Sequence, residues 1–233
     1  MKLGIMQPYV FPYIGYFQLV RAVDELVFYD DVNYIKNGWI NRNRILLNGT
    51  DHYITLPCTK ASPNRLIREI EINRRNSDEN KLLKTIYLAY KKAPFFDHIF
   101  PLIEGLWQME MKKISNFAQQ SIIQFAKYLE INTEFKSSSE SFPETKGMEK
   151  ADRIIAICKK EQAENYLNVE GGKALYNKKY FMDKGISLHY IKPLPVVYKQ
   201  FNNKFVPWLS IIDLLMFNDK EKVQVMLDQY ELD

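Results

Sequence analysis

The chain has 233 residues, 46% of them hydrophobic and 26% charged, and 32 basic against 28 acidic side chains leave a formal charge of +4. That length supports a sizeable core, and the composition excludes a largely disordered chain. No apolar run reaches the roughly 18–20 residues of a membrane-spanning helix, and the opening Met1–Pro8 is interrupted too early for a secretory signal.

Cys58 and Cys158 make no disulfide framework, so a soluble protein of the reducing cytoplasm is expected. His52, His98 and His189 lie far apart in sequence, and no metal centre is expected of them. Positive charge is spread along the chain, thickened by Arg42, Arg44, Arg65, Arg68, Arg74 and Arg75, and points to no nucleic-acid partner. Fifteen Tyr and 14 Phe suit a pocket that stacks on ring-shaped ligands, and equally a composition rich in Tyr, Lys, Asn and Ile throughout.

Leu3–Met6 reads as a buried strand, 7–13 as a loop rich in Pro and Tyr, and Tyr16–Val23 as a helix. Leu26–Tyr29 is a second apolar run, ending at Asp30-Asp31. Together these make a strand–loop–helix–strand unit of about 30 residues, the size of a parallel βαβ crossover. His52–Pro57 and Ile67–Ile72 predict two further strands, the second by a clean period-two alternation. Ser77, with Asn80 three residues on, predicts a helix start, and the pattern stays helical through Tyr90. Gly105–Leu129 predicts one long helix, with Leu106, Met109, Ile114, Phe117, Ile122, Phe125 and Leu129 near period 3.6.

Beyond it, Thr133–Phe135, Asn165–Val169 and Ile186–Ile191 predict strands, and Ser137–Glu140 a loop. Gly147–Lys160, Trp208–Met216 and Lys220–Leu227 predict helices. The expectation is a single α/β domain over residues 1–233, with a Rossmann-like parallel sheet core and a helical region inserted at about 77–130.

The first loop is the most informative segment. A strand running through a tight loop into a helix N-terminus presents backbone N–H groups and a positive dipole end, which suits a phosphate. Gln7, Tyr9, Tyr13 and Tyr16 stand there, at the carboxyl end of a strand where α/β ligands bind; the alternative is that the prolines only shape a turn and the tyrosines pack the core. The loop lacks the glycines of a dinucleotide fingerprint, and the chain has no Walker-type lysine loop.

Asn41-Arg42-Asn43-Arg44 puts two guanidinium groups on one side of an extended segment, apt for phosphate or carboxylate, with Trp39 beside it for stacking and Lys36 as a further anion contact. The alternative is a solvated basic turn. Asp30 and Asp31 close a strand at the same edge, as a base, a metal holder, a solvated strand end or a cap of a nearby helix. Gly171, Gly172 and Lys173 make a turn fit for an anion. Cys58, near Lys60, is either an activated thiolate or an inert buried thiol, and Cys158 and His189 read as core. Asp213, with Ser210, is a capping network or a wall of the site.

Two resemblances follow from these residues. Val10-Phe11-Pro12-Tyr13-Ile14-Gly15-Tyr16 resembles the histidine-containing signature of nucleotidylyltransferases and pantothenate synthetases, with Tyr13 and Tyr16 at the histidine places. A wider resemblance is to the WbqC-like family. It is carried by Gln7-Pro8-Tyr9, Pro12–Phe17, Asp30-Asp31-Val32, Gly38–Ile45, Leu56-Pro57, Tyr90, Ala93–Phe96, Ser138-Ser139-Glu140 and Phe205–Leu215. One departure is Pro195-Val196-Val197, where that family often has His-Pro before the Tyr-x-Gln that ends at Gln200.

The resemblance implies a nucleotidyltransferase-like sheet and work in surface-polysaccharide (O-antigen or capsule) biosynthesis. The expected activity is a transferase that acylates the amino group of a nucleotide-activated amino sugar, with a nucleotide-sugar and an acyl donor as partners and no assigned cofactor. An ATP-dependent version would pass through an acyl-adenylate. In this scheme residues 7–16 and 39–44 hold nucleotide and phosphate, Asp30 or Asp31 takes the proton, and Lys173 steadies an anion. The alternatives are a nucleotidylyltransferase that makes the activated sugar, and a non-catalytic partner that only binds it.

Overall fold

Leu3–Ile5 are buried on both faces, as a central parallel strand requires, and they form the middle of β1 (Lys2–Met6) in a computed structural model that describes residues 1–74, 76–202 and 204–233. Helix α1 (Ile14–Ala22) crosses over to β2 (Glu25–Phe28), which pairs with β1 in parallel, Leu3 opposite Glu25 and Met6 opposite Phe28. The expected βαβ start is present.

Residues 29–133 then leave the sheet. β3 (Arg42–Leu47) and β4 (Thr50–Thr55) form a hairpin turned by Asn48 and Gly49, both at positive φ, the backbone that a two-residue turn demands and that this residue pair supplies. β5 (Cys58–Thr59) and β6 (Glu71–Ile72) pair over two residues. The strand expected over Ile67–Ile72 is instead a 3-10 turn at Ile67–Glu69 followed by β6. The Glu69 carboxylate accepts from the Leu66 N–H and closes the turn, and Ile67 and Ile70, three residues apart, both reach the core.

Helices α2 (Asn76–Tyr90), α3 (Phe96–Gln108) and α4 (Ile114–Tyr128) complete the insertion. Arg75 and the side chains of Ser77 and Asn80, on which the expected helix start rests, lie outside the described residues. The single helix expected over Gly105–Leu129 is broken between α3 and α4. Glu110 there takes a φ of 47°, the Lys112 carbonyl accepts from Ile72 N–H, and Ile114 N–H donates to the Ile70 carbonyl. Backbone pairing with β6 outweighs the continuous 3.6-residue pattern.

The chain returns to the sheet at β7 (Glu134–Ser137), parallel to β2, and turns through α5 (Ser138–Ser141), one helical turn where a loop is expected. It continues through α6 (Lys150–Lys160), β8 (Asn165–Val169), α7 (Lys178–Met182), β9 (Ser187–Pro193), α8 (Ile211–Phe217), α9 (Lys220–Leu227) and β10 (Tyr230–Leu232).

The sheet runs β10-β9-β8-β1-β2-β7, with β10 its antiparallel edge. In chain order the sheet strands therefore lie 3-2-1-4-5-6, the order of a Rossmann-like α/β fold. Leu3, Ile5, Val27, Tyr166 and Leu188 face α6 and α7, among Ile154, Ile157 and Phe181. Leu26, Phe28, Leu167 and Ile191 face the opposite way, into the larger core with α1, α9 and the insertion. Among the described residues no helix is long and apolar enough to cross a membrane.

Candidate functional site

Strand order reverses between β1 and β8, and in open α/β sheets the crevice beyond the carboxyl ends of such a pair is where ligands bind. Residues 7–13, which follow β1, are fixed there by several distant segments. Val10 N–H donates to the Ile40 carbonyl, and the Val10 carbonyl accepts from Asn43 Nδ2 at 3.1 Å. The Phe11 carbonyl accepts from Ser210 Oγ at 2.7 Å, and the Pro12 carbonyl from Ile211 N–H. Phe11 holds a left-handed φ of 47° with its ring buried against Phe117 and Phe125, a conformation that costs a bulky residue free energy and survives only where its surroundings over-determine it.

These restraints aim Tyr9 and Tyr13 into a cavity of about 480 Å³, lined also by Pro12, Trp39, Asn43, Arg44, Glu170, Gly171, Lys192, Pro193 and Trp208. Gly15 shapes it from below, since a Cβ there would come within 2.5 Å of the Tyr13 ring. Burial pushes the Tyr9 hydroxyl up to about 12, and burial together with the Glu170 carboxylate raises that of Tyr13. Both remain neutral hydrogen-bond donors at physiological pH.

Arg44 brings the positive charge. Its Nη1 lies 3.3 Å from the Asp51 carboxylate and its Nη2 donates to the Trp208 carbonyl at 3.3 Å, while Nε is buried with no partner among the described residues. The guanidinium sits 5.7 Å from the Trp39 ring, which stacks on Tyr53 with an interplanar angle of 21°. Trp208 closes the opposite wall, edge-on to Tyr13 and itself at a φ of 59°. Lys192 adds a second cation, 3.4 Å from Glu231. Aromatic faces, neutral hydroxyl donors and two cations suit a ligand with flat rings and negative charge.

Of the residues singled out from the sequence, Tyr9, Tyr13, Trp39, Arg44 and Gly171 meet in this cavity. Tyr16 is buried in the core and donates to the Gln7 carbonyl at 3.0 Å, and neither residue lines the cavity. Asn41 is a buried strut between the Tyr34 hydroxyl and the Leu56 carbonyl. Arg42 lies over the Tyr53 ring at 4.7 Å and donates to the carbonyls of Asn37 and Gly38, outside the cavity, and Lys36 is exposed. Gly172 packs on the Asn168 amide, and Lys173 pairs with Asp233 at a neighbouring recess.

Asp30 and Asp31 are placed elsewhere. Asp30 accepts from Ser139 N–H at 3.1 Å and from the hydroxyls of Ser138 and Ser139, and Asp31 from Arg153 Nη2 at 2.6 Å and Ser138 Oγ at 2.5 Å. Both are buried, and they tie the end of β2 to α5 and α6 rather than facing the cavity. Burial pushes the Cys58 and Cys158 thiols up to about 12, so neither is an activated thiolate. Among the described residues no group of three His, Cys, Asp or Glu is placed to hold a metal.

Asp213 and Ser210 are structural. Ser210 caps α8 by accepting from Ile212 N–H at 3.2 Å. Asp213 accepts from the Tyr90 and Tyr198 hydroxyls and from Gln200 Nε2, at 2.7, 2.6 and 2.6 Å.

Sequence reasoning missed Trp208, Lys192 and a role for Glu170, whereas Asn43 lies within the expected 39–44 segment. Trp208 lies within the string that carries the wider resemblance, and Glu170 begins the turn after β8, so both had a signal. Nothing local to Lys192 marks it.

The fold and this cavity define a Rossmann-like α/β domain whose crevice at the switch point is lined by aromatic and cationic side chains. The model of the WbqC-like protein family matches residues 7–225, and the chain belongs to that family. It is also similar to an uncharacterized protein of Mycobacterium tuberculosis, 28% identical over 218 residues that make up 92% of each chain. No solved structure matches the chain significantly.

Proposed function

We propose that the protein is a transferase of surface-polysaccharide biosynthesis that acylates the amino group of a nucleotide-activated amino sugar. Membership of the WbqC-like family points to polysaccharide biosynthesis. The observation that carries the substrate class is the cavity itself, which joins Arg44 and Lys192 to stacked aromatic rings and neutral tyrosine hydroxyls beyond β1 and β8. In this reading Arg44 and Lys192 neutralise the diphosphate, Trp39 stacks on a ring of the ligand, and Tyr9 and Tyr13 bond its hydroxyls.

Glu170, on the cavity wall beside Tyr13, replaces Asp30 and Asp31 as the group that takes the proton. The sugar amine attacks the carbonyl carbon of an activated acyl donor, the C–N bond forms as the bond to the leaving group breaks, and Glu170 accepts the ammonium proton. A second reading, a protein that binds the nucleotide-sugar without reaction, is favoured by the engagement of both aspartates in structural bonds.

Calorimetric titration with uridine and thymidine diphospho-amino sugars tests the site. Arg44→Ala should weaken binding at least tenfold, by the ~1.5–3 kcal/mol of a charge-assisted hydrogen bond. Unchanged affinity would overturn the phosphate assignment. Binding without a mass gain of the sugar in the presence of acyl donors would favour the second reading.

A further inference from the structure

A second cavity, of about 360 Å³, lies behind Trp208, which walls both spaces. Its lining is aliphatic and aromatic: Ile14, Leu194, Val196, Phe205, Leu209 and Leu214 surround it. One hydroxyl borders it, that of Tyr198, and this is already given to Asp213 at 2.6 Å. The cavity thus offers an occupant mainly apolar contact.

Its walls are held in place from both sides. Ser210 N–H donates to the Arg44 carbonyl and Arg44 Nη2 to that of Trp208, which keeps the left-handed Trp208 between the two spaces. On the far side, Gln200 accepts from Val206 N–H at 2.7 Å and donates to Asp213, pinning the segment that carries Tyr198 and Phe205. Trp208 stays 49% exposed and Val197 71% exposed, large apolar side chains left in contact with water around this segment.

We infer that this apolar cavity receives the aliphatic chain of the acyl donor, with the donor's carbonyl at the Trp208 boundary facing the polar cavity. Concavity and size fit a small chain rather than a protein face, and the Trp208 wall common to both spaces puts this cavity next to the one assigned to the sugar. The identity of the chain as an acyl group rests on the function proposed above, whereas the cavity's preference for an aliphatic chain does not.

The test is calorimetric titration of the protein with pantetheine thioesters of straight-chain acids from two to twelve carbons, and with the matching free carboxylates. Uridine and thymidine diphospho-amino sugars are titrated in parallel. Thioester affinity should rise roughly fourfold for each added methylene until the cavity is full. Val196→Trp, which fills the cavity, should flatten that dependence while leaving nucleotide-sugar affinity unchanged, which also shows that the variant folds. Val196→Ala should shift the optimum to a longer chain. Nucleotide-sugar binding with a flat chain-length profile, or an unaltered profile in Val196→Trp, would overturn this inference alone. Chain binding without any nucleotide-sugar binding would overturn the donor role together with the proposed function, and tighter binding of free carboxylates than of thioesters would overturn the donor role by itself.

Discussion

Ser210 and Phe11 stand at opposite ends of the chain, yet the Ser210 hydroxyl donates to the Phe11 carbonyl across 2.7 Å in the buried interior. The same hydroxyl accepts from Ile212 N–H and caps α8. One side chain therefore holds a strained turn of the cavity and starts a core helix. Ser210→Ala removes both bonds and should cost about 2 kcal/mol, lowering the midpoint of thermal unfolding by about 4–8 °C. Ser210→Thr, which keeps the hydroxyl, should recover most of the loss. Equal melting of Ser210→Ala and the native protein would show that Phe11 is fixed without this bond.

Gly15 tests the cavity from its floor. A methyl group there would meet the Tyr13 ring at 2.5 Å, too close for any contact, and the ring rather than the buried helix is free to move. Gly15→Ala should displace Tyr13 and weaken nucleotide-sugar binding about tenfold, with a much smaller effect on melting. In the Tyr13→Ala background the same substitution should have no further effect on affinity. Additive losses would place the Gly15 effect elsewhere in α1.

Much of the fold is written in local patterns. The apolar runs of β1, β2 and β8 and the helical spacing of α1, α6 and α9 need no distant partner to be recognised. The elements that escape are those set by long-range pairing. The alternation of Ile67–Ile72 is overridden by a Glu69-closed turn, and the 3.6-residue pattern across Gln108–Ile114 by backbone bonds to Ile70 and Ile72. The β3–β4 hairpin, turned at Asn48-Gly49, was not expected from the sequence, and it carries Arg44 to the cavity. At the site, a loop after a strand was readable as a binding position because that rule belongs to the fold class. Whether a polar residue in it faces ligand or core depends on tertiary partners: Tyr13 and Tyr16 share one string, and one lines the cavity while the other is buried.

The buried pair of Asp31 and Arg153 reads as architecture, and that has a measurable consequence. Their side chains are 2% and 5% exposed, 2.6 Å apart, and Arg153 also lies 4.8 Å from the Tyr29 ring. Arg153→Met leaves a buried carboxylate without its counter-ion and should destabilise the fold by about 3–5 kcal/mol. Asp31→Asn combined with Arg153→Met should recover a substantial part of that loss in denaturant unfolding. Asp31→Asn alone should lower stability while sparing turnover per folded molecule. A large loss of turnover in a stably folded Asp31→Asn protein would return this residue to the chemistry.

Asp213 gives the fold a pH dependence of a particular sign. Burial raises its carboxyl above the ordinary range, and the three donors from Tyr198, Tyr90 and Gln200 offset only part of that penalty. Between the unfolded value, about 3.9, and the raised folded one, the folded chain binds more protons than the unfolded chain. Stability contributed by this group therefore falls as pH rises through that window, and levels off above it. Denaturant unfolding at a series of pH values from 4 upward should show the native protein losing stability relative to Asp213→Asn, whose side chain does not titrate. A native protein that gains stability relative to Asp213→Asn over the same range would mean that the hydrogen bonds outweigh burial, and that the carboxylate is the form the fold is built to hold.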